Sequence, residues 1–294
     1  RIEAGGAVNF ELSYGTFDDL LAAALLDSGW ASAKSVVSAG TVSAVASGNK
    51  FTGAFTAPDV GDWIKVSGFA TAANNGYFKV VAGSTSEITV SGGTLVNEAD
   101  QTGVTIAQGG AIVNGTTLST FNVEREYADL SSELALFVGM AIHAMSLSVP
   151  TEGVVTGSFD FLGHSESSQT ASGGSGYTAA TTTDPMAAVD VTGLLENQTA
   201  LAILSFTVNL TNNLRNKLQA GSTGVVGVGT GRVEVTGSLQ AYYANSTLYD
   251  KFLNETPSSL ALVLEDDAGN AYVLDLPRVK STNAGRPADG PNGE

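Results

Sequence analysis

Along much of this chain, apolar and polar residues alternate with a period of two. In Ser205–Thr211, Phe206, Val208 and Leu210 fall on one face, and Ser205, Thr207, Asn209 and Thr211 on the other. Gly231–Asn245 repeats the pattern, with Val233, Val235, Leu239 and Ala241 opposite Arg232, Glu234, Thr236, Ser238 and Gln240. Alternation of this kind marks strands with one face on a core and the other in water. The wet faces are made mainly of short hydroxyl and amide side chains rather than long charged ones. A polar but smooth surface suits something that must slide past it, which points toward a conduit more than toward an active site.

Ala7–Tyr14 reads as a further strand, with Val8, Phe10 and Leu12 on one face. Thr16 is expected as a helix N-cap with Asp19 completing a capping box. Phe17, Leu20, Leu21, Ala24 and Leu25 then form an apolar stripe at helical spacing, with Gly29 as the residue that closes the helix. A shorter helix is expected from about Thr247 to Asn254, with Leu248, Phe252 and Leu253 on one side. Strands are also expected in Thr117–Glu126, Gly139–Val149 and Val154–Gly163. In the last of these, Phe159 and Phe161 oppose Ser158 and Asp160. Ser258–Val279 reads as a hairpin turned at Asp266–Asn270. Glu166–Thr183 is a Gly/Ser/Thr stretch with too little apolar surface to order itself, and Ser281–Glu294 reads as irregular.

Between Val36 and Gly110 the texture changes to five or six short strands separated by Gly, Asn and Ser turns, with strong turn signals at Asp59–Asp62 and Asn74–Gly76. Trp63, Val66, Phe69 and Tyr77–Val81 would fill a compact small barrel. The flanking segments belong together better than either belongs to this stretch. The expected organisation is therefore a discontinuous β domain, residues 1–35 and 111–294, carrying an inserted small β domain at 36–110.

Composition narrows the class. The 294 residues include 35 Gly and 7 Pro, as suits a mainly β protein rich in turns. Thirteen Lys and Arg against 29 Asp and Glu give a net charge of −16, which repels nucleic acid and anionic membranes by default. The absence of cysteine excludes disulfides and thiolate metal sites. The longest apolar run, Leu134–Val149, is interrupted by His143, Ser146 and Ser148 and is short for a membrane span. The chain opens on Arg1 rather than Met, so the natural chain is expected to begin earlier.

Catalytic signatures are weak. Gly227-Val-Gly-Thr-Gly231 is followed by a strand pattern, whereas a phosphate cradle needs a helix N-terminus behind its glycines. Asp266, Asp267 and Asn270 resemble a calcium loop but lack the closing Glu, and a hairpin turn accounts for them. His143 and His164 lie on different expected strands, without partners for base or metal chemistry. Glu124 and Glu126 share a strand face and could act as glycosidase acids, although acidic surface is the commoner meaning. No catalytic, cofactor or metal residue is assigned, and no cofactor is expected.

Several segments in order resemble the tail-tube, or major tail, proteins of long-tailed phages with non-contractile tails. They are FELSYGTFDDLLAAALLDSGW (Phe10–Trp30), NGTTLSTFNVEREYAD (Asn114–Asp129) and FVGMAIHAMSLSVPTEGVVTGSFDFLG (Phe137–Gly163). SFTVNLTNNL (Ser205–Leu214), GRVEVTGSLQAYYANSTLYDKF (Gly231–Phe252) and LPRVKSTNAG (Leu276–Gly285) complete the series. They cover most of the chain outside Val36–Gly110.

The resemblance implies a mainly β fold of sandwich or barrel type, with one or two short helices and a small barrel-like inserted domain on the outer surface. It implies a non-enzymatic virion protein, assembled in the host cytoplasm, whose homo-hexameric rings stack into a tube. A tape-measure protein and passing double-stranded DNA would occupy the lumen without specific binding, and tail terminator and distal tail proteins would meet the ends. No membrane partner is implied. The family tends to continue beyond the PRVK segment, so a further strand after Glu294 is expected. On this reading the lumen-facing residues are Ser158, Asp160, Ser205, Thr207, Asn209, Arg232, Glu234, Thr236 and Ser238. The alternative is a carbohydrate-binding or adhesin-like β module, for which Trp63, Tyr77 and Tyr177 are the available aromatic platforms.

Overall fold

A computed structural model describes residues 3–127, 129–130, 133–242 and 245–285. The expected irregular end beyond residue 285 lies outside the described residues. In chain order, β1 (Ala4–Glu11) and α1 (Asp18–Ala24) come first. A run of short strands follows: β2 (Lys34–Ser35), β3 (Val37–Val45), β4 (Lys50–Phe55), β5 (Trp63–Ser67), β6 (Gly76–Gly83), β7 (Glu87–Ser91), β8 (Glu98–Gln101) and β9 (Thr105–Gln108). The chain continues with β10 (Phe121–Glu126), β11 (Leu134–Val149), β12 (Thr156–Gly163) and β13 (Ser165–Gln169). Next come β14 (Val191–Glu196), β15 (Thr199–Leu201), β16 (Ile203–Thr211), β17 (Arg215–Lys217), β18 (Gly227–Gly229) and β19 (Glu234–Ala241). Last are α2 (Thr247–Leu253), β20 (Ser258–Glu265) and β21 (Ala271–Val279). The fold is mainly β with two short helices, and its sheets are antiparallel and open rather than closed into barrels.

The chain divides into two compact units. The first comprises Arg1–Trp30, Ile112–Val189 and Ser205–Gln240. Its seven-stranded sheet runs β1-β12-β11-β16-β19, with β10 and β13 flanking the first half of β11. At 16 residues, β11 is longer than the expected Gly139–Val149, because the chain passes through Gly139 at φ 68° and keeps pairing on both sides. That φ belongs to the left-handed region that only glycine adopts freely.

The core of this unit stacks Phe10 on Phe159 with ring centres 4.6 Å apart. Gly157 makes room for it, since a Cβ there would collide with the Phe10 ring and lie 2.5 Å from the Ser146 carbonyl oxygen. Asn212 is fully buried and donates its Nδ2 to the carbonyls of Ala24 (2.9 Å) and Ile142 (3.0 Å), tying the end of α1 to β11.

Helix α1 differs from its expected limits at both ends. Phe17 occupies the N-cap without a side-chain bond, and the Thr16 hydroxyl bonds the Ser13 hydroxyl instead (2.6 Å). At the other end Leu26, not Gly29, takes the left-handed conformation at φ 55°. Leu26 N–H then donates to the Ala23 carbonyl and Asp27 N–H to that of Ala22, a Schellman closure. The buried Leu26 side chain offsets the strain. Ser165–Gln169 also departs from expectation. It forms β13, because its backbone completes the free edge of β11.

The second unit comprises Ala31–Ala111, Asp190–Leu204 and Ala241–Glu294. It holds an eight-stranded sheet, β2-β9-β5-β6-β7-β4-β3-β8, and a four-stranded one, β15-β14-β20-β21. The stretch expected as a small barrel encloses its own core, with Phe51, Ile64, Ile88, Leu95 and Ile106 inside. Its sheet path stays open, because β2 is only two residues long and is not paired with β8 among the described residues. The hairpin β20–β21 turns at Asp266–Asn270 as expected, with Asn270 N–H donating to Asp266 Oδ1.

Candidate functional site

The seven-stranded sheet gathers the alternating strands into one polar face. Register places Asn9, Ser158, Ser146 and Asn209 side by side across β1, β12, β11 and β16. The next rung is Glu11, Thr156, Ser148 and Thr207, extended to β19 by a 2.8 Å hydrogen bond between Thr207 and Ser238. On the other side, Ala7, Asp160, Ala144 and Thr211 form a third rung. Further bonds within the face join Ser146 to Ser158 (2.9 Å) and Ser205 to Gln240 (3.1 Å). A shallow groove follows the same face, lined by Asn9, Glu11, Ser146, Ser148, Thr156 and Ser158 together with Phe10 and Gly157.

Of the candidate residues, Ser158, Asp160, Ser205, Thr207, Asn209 and Ser238 thus share one face. Thr236 and Glu234 follow on β19 by alternation. Arg232 precedes β19, exposed, its carbonyl accepting from Asn213 Nδ2 (2.8 Å). The three rungs carry carboxylates, at Glu11 and Asp160, and no cation.

Behind this face Phe159, Phe206, Val208 and Leu210 are buried. The outer strands are not fully covered. Val8 on β1, paired with the buried Phe159, is 42% exposed, and Val235 on β19 is 47% exposed. Both strands end the sheet path, so among the described residues each carries an unpaired backbone edge as well as an uncovered apolar residue.

Elsewhere the chemistry-bearing residues are engaged structurally. His143 Nδ1 accepts from Leu214 N–H (3.2 Å), and the His164 ring packs over Gly139. Glu124 accepts from the Ser172 hydroxyl, the Gly173 N–H (2.8 Å) and the Tyr177 hydroxyl (3.3 Å). The Ser172 bond, with the Gly173 N–H, holds its carboxyl below the usual glutamate range. A glycosidase acid needs the opposite shift. Of the glycines in Gly227–Gly231, Gly227 and Gly229 belong to strand β18, paired with β17, and β19 follows rather than a helix. Sequence reading missed this hairpin, because three-residue strands of Arg-Asn-Lys and Gly-Val-Gly show no alternation.

Two of the aromatic residues are turned inward. The Trp63 indole donates to Asp275 Oδ2 (3.1 Å). Lys65 sits 5.6 Å from the centre of the Tyr77 ring and reaches Glu265 (2.7 Å) and the Gly269 carbonyl (2.8 Å). Burial, with the nearby Glu265 carboxylate, pushes the Tyr77 hydroxyl above its usual pKa. Neither ring offers an open platform for a sugar.

Among the described residues no cluster of His, Asp and Glu could hold a metal ion, and no helix is long and apolar enough to cross a membrane. The family model described as phage tail tube protein matches residues 1–294, the whole chain. The chain belongs to the phage tail tube protein family. No curated protein matches it. Membership makes this a structural tail protein of a phage virion. In a tail tube protein, a hydroxyl-rich face bounded by two open strand edges is the surface to consider first.

Proposed function

We propose that the chain is the repeating subunit of a hexameric ring and that stacked rings form the tail tube of a non-contractile phage. The polar face of the seven-stranded sheet lines the channel, through which double-stranded DNA passes from capsid to host. The observation that carries this reading is the set of three rungs, crossing four or five strands with short side chains, polar except for Ala7 and Ala144, and with carboxylates as their only charges. The rungs offer a phosphate backbone no cation to hold, and Glu11, Asp160 and Glu234 repel it, with Arg232 beside β19 as the one exception. Screening confines the effect to roughly 8 Å at physiological salt, so wall residues dominate.

The uncovered edges of β1 and β19 support assembly. Pairing them with neighbouring copies satisfies their backbone groups and covers Val8 and Val235. A tape-measure protein fills the lumen before ejection, and terminator and distal tail proteins cap the two ends. The 36–110 module lies on the outer surface. Electron microscopy of the purified chain tests the reading. Six-fold rings or tubes, with the module outside and the Ser158 face inside, are expected. A monomer at every concentration, or the polar face on the exterior, overturns it.

A further inference from the structure

The cations of the first unit are concentrated in one place. Outside Ser205–Gln240 this unit has two cations and thirteen acids, a net of −11; within that segment Arg215, Lys217 and Arg232 face only Glu234, a net of +2. Six of the seven lysines, Lys34, Lys50, Lys65, Lys79, Lys251 and Lys280, form ion pairs. Lys217 has none among the described residues. Its stem lies along Gly227 and Gly229 of the paired strand, where a Cβ at Gly229 would come within 3.1 Å of Lys217 Cε. Arg215 is exposed two residues away on β17, and Leu218 and Val226 of the same hairpin are 52% and 47% exposed.

We infer that the β17–β18 hairpin docks on the β10–β11 connection of a second copy of this chain. That connection offers the complement, with Glu126, Asp129 and Glu133 exposed around a Leu130 that is 54% exposed. Both surfaces mix charge with an uncovered aliphatic group. A duplex backbone would leave Leu218 and Val226 against phosphates, whereas the acidic connection covers them with Leu130. The pairing rests on the tube reading and names the surfaces by which copies recognise one another. Opposed charge at such a contact steers and selects more than it holds, and salt weakens it.

The test uses the full chain in four forms, with assembly followed by sedimentation and microscopy at low and high salt. The double reversal Arg215→Glu/Lys217→Glu is expected to raise the concentration needed for assembly by about tenfold or more, since like charges then face each other. Adding Glu126→Lys/Glu133→Lys should restore assembly. The neutral pair Arg215→Gln/Lys217→Gln should flatten the salt dependence, and supplies the answer if the reversal does not fold. Wild-type behaviour from both hairpin variants overturns the docking while leaving the tube reading intact. So does unchanged assembly with lost retention on duplex DNA, which would assign the cations to phosphate. A wild-type chain that never assembles overturns both.

Discussion

Lys79 and Asp275 meet at 2.5 Å across the second unit, joining β6 of the eight-stranded sheet to β21 of the four-stranded one. Each side chain is only 20% exposed, and Asp275 Oδ2 also accepts from the Trp63 indole. A pair so shielded is costly to break on one side, because the remaining charge stays buried. Asp275→Ala is expected to destabilise the unit by about 2 kcal/mol. The double change Lys79→Met/Asp275→Leu should cost less than the single one. Urea unfolding of the three chains measures both, and a larger loss in the double variant would refute the argument.

Asn212→Ala leaves the Ala24 and Ile142 carbonyls without their buried donor. A loss of about 2 kcal/mol is expected, seen as a lower urea midpoint at an unchanged slope. A loss under 0.5 kcal/mol would mean that α1 is held by packing alone.

Gly157→Ala inserts a methyl group between the Phe10 ring and the Ser146 carbonyl. Overpacking of this kind costs about 1–3 kcal/mol. Thermal unfolding should show the drop, and the companion change Phe10→Leu should recover part of it by vacating the ring's space.

Much of this was legible beforehand, and the exceptions have physical causes. The polar rungs follow from the period-two pattern, which fixes faces regardless of what the strand pairs with. The helix limits were missed because Leu26 adopts a conformation that sequence rules reserve for glycine, which its burial makes affordable. The β14–β15 hairpin was missed because its two-residue turn is Asn197-Gln198, both at positive φ, and Gln is no turn signal. Val235 reads as a core residue in the pattern yet is half exposed, because burial at an outer strand depends on what lies beyond it, and no single chain encodes that.

Glu124 gives the loop at Ser172–Tyr177 a pH dependence. Its folded pKa is depressed, so the anchoring is complete above the ordinary value of 4.5 and is lost as pH falls through the lower folded value. Proteolysis of this loop by an acid-tolerant protease should therefore be flat from neutral pH down to about 5 and rise below 4.5. In Glu124→Ala it should be fast throughout. A rise already present near neutral pH would exclude Glu124 as the anchor.

Replacing Asp160 and Glu234 by Lys tests the channel wall. Glu234 is exposed and Asp160 half-buried on the open polar face, and charges still reached by water contribute little to stability, so unfolding should shift by about 1 kcal/mol or less. Genome ejection from particles carrying both changes should slow or stall, since each new cation can hold a phosphate. Ejection at the normal rate would place these side chains away from the DNA.

The long strand β11 belongs to two groups of partners, β10 and β13 along its first half and β12 and β16 along its second. A pull applied along its length therefore passes from one group to the other through covalent backbone, with no hydrogen-bonded seam in series. Every ladder bond on β11 is loaded in shear and must fail together rather than unzip one by one. The subunit thus has a tendon through it, which carries tension from one group of strands to the other along a single covalent backbone.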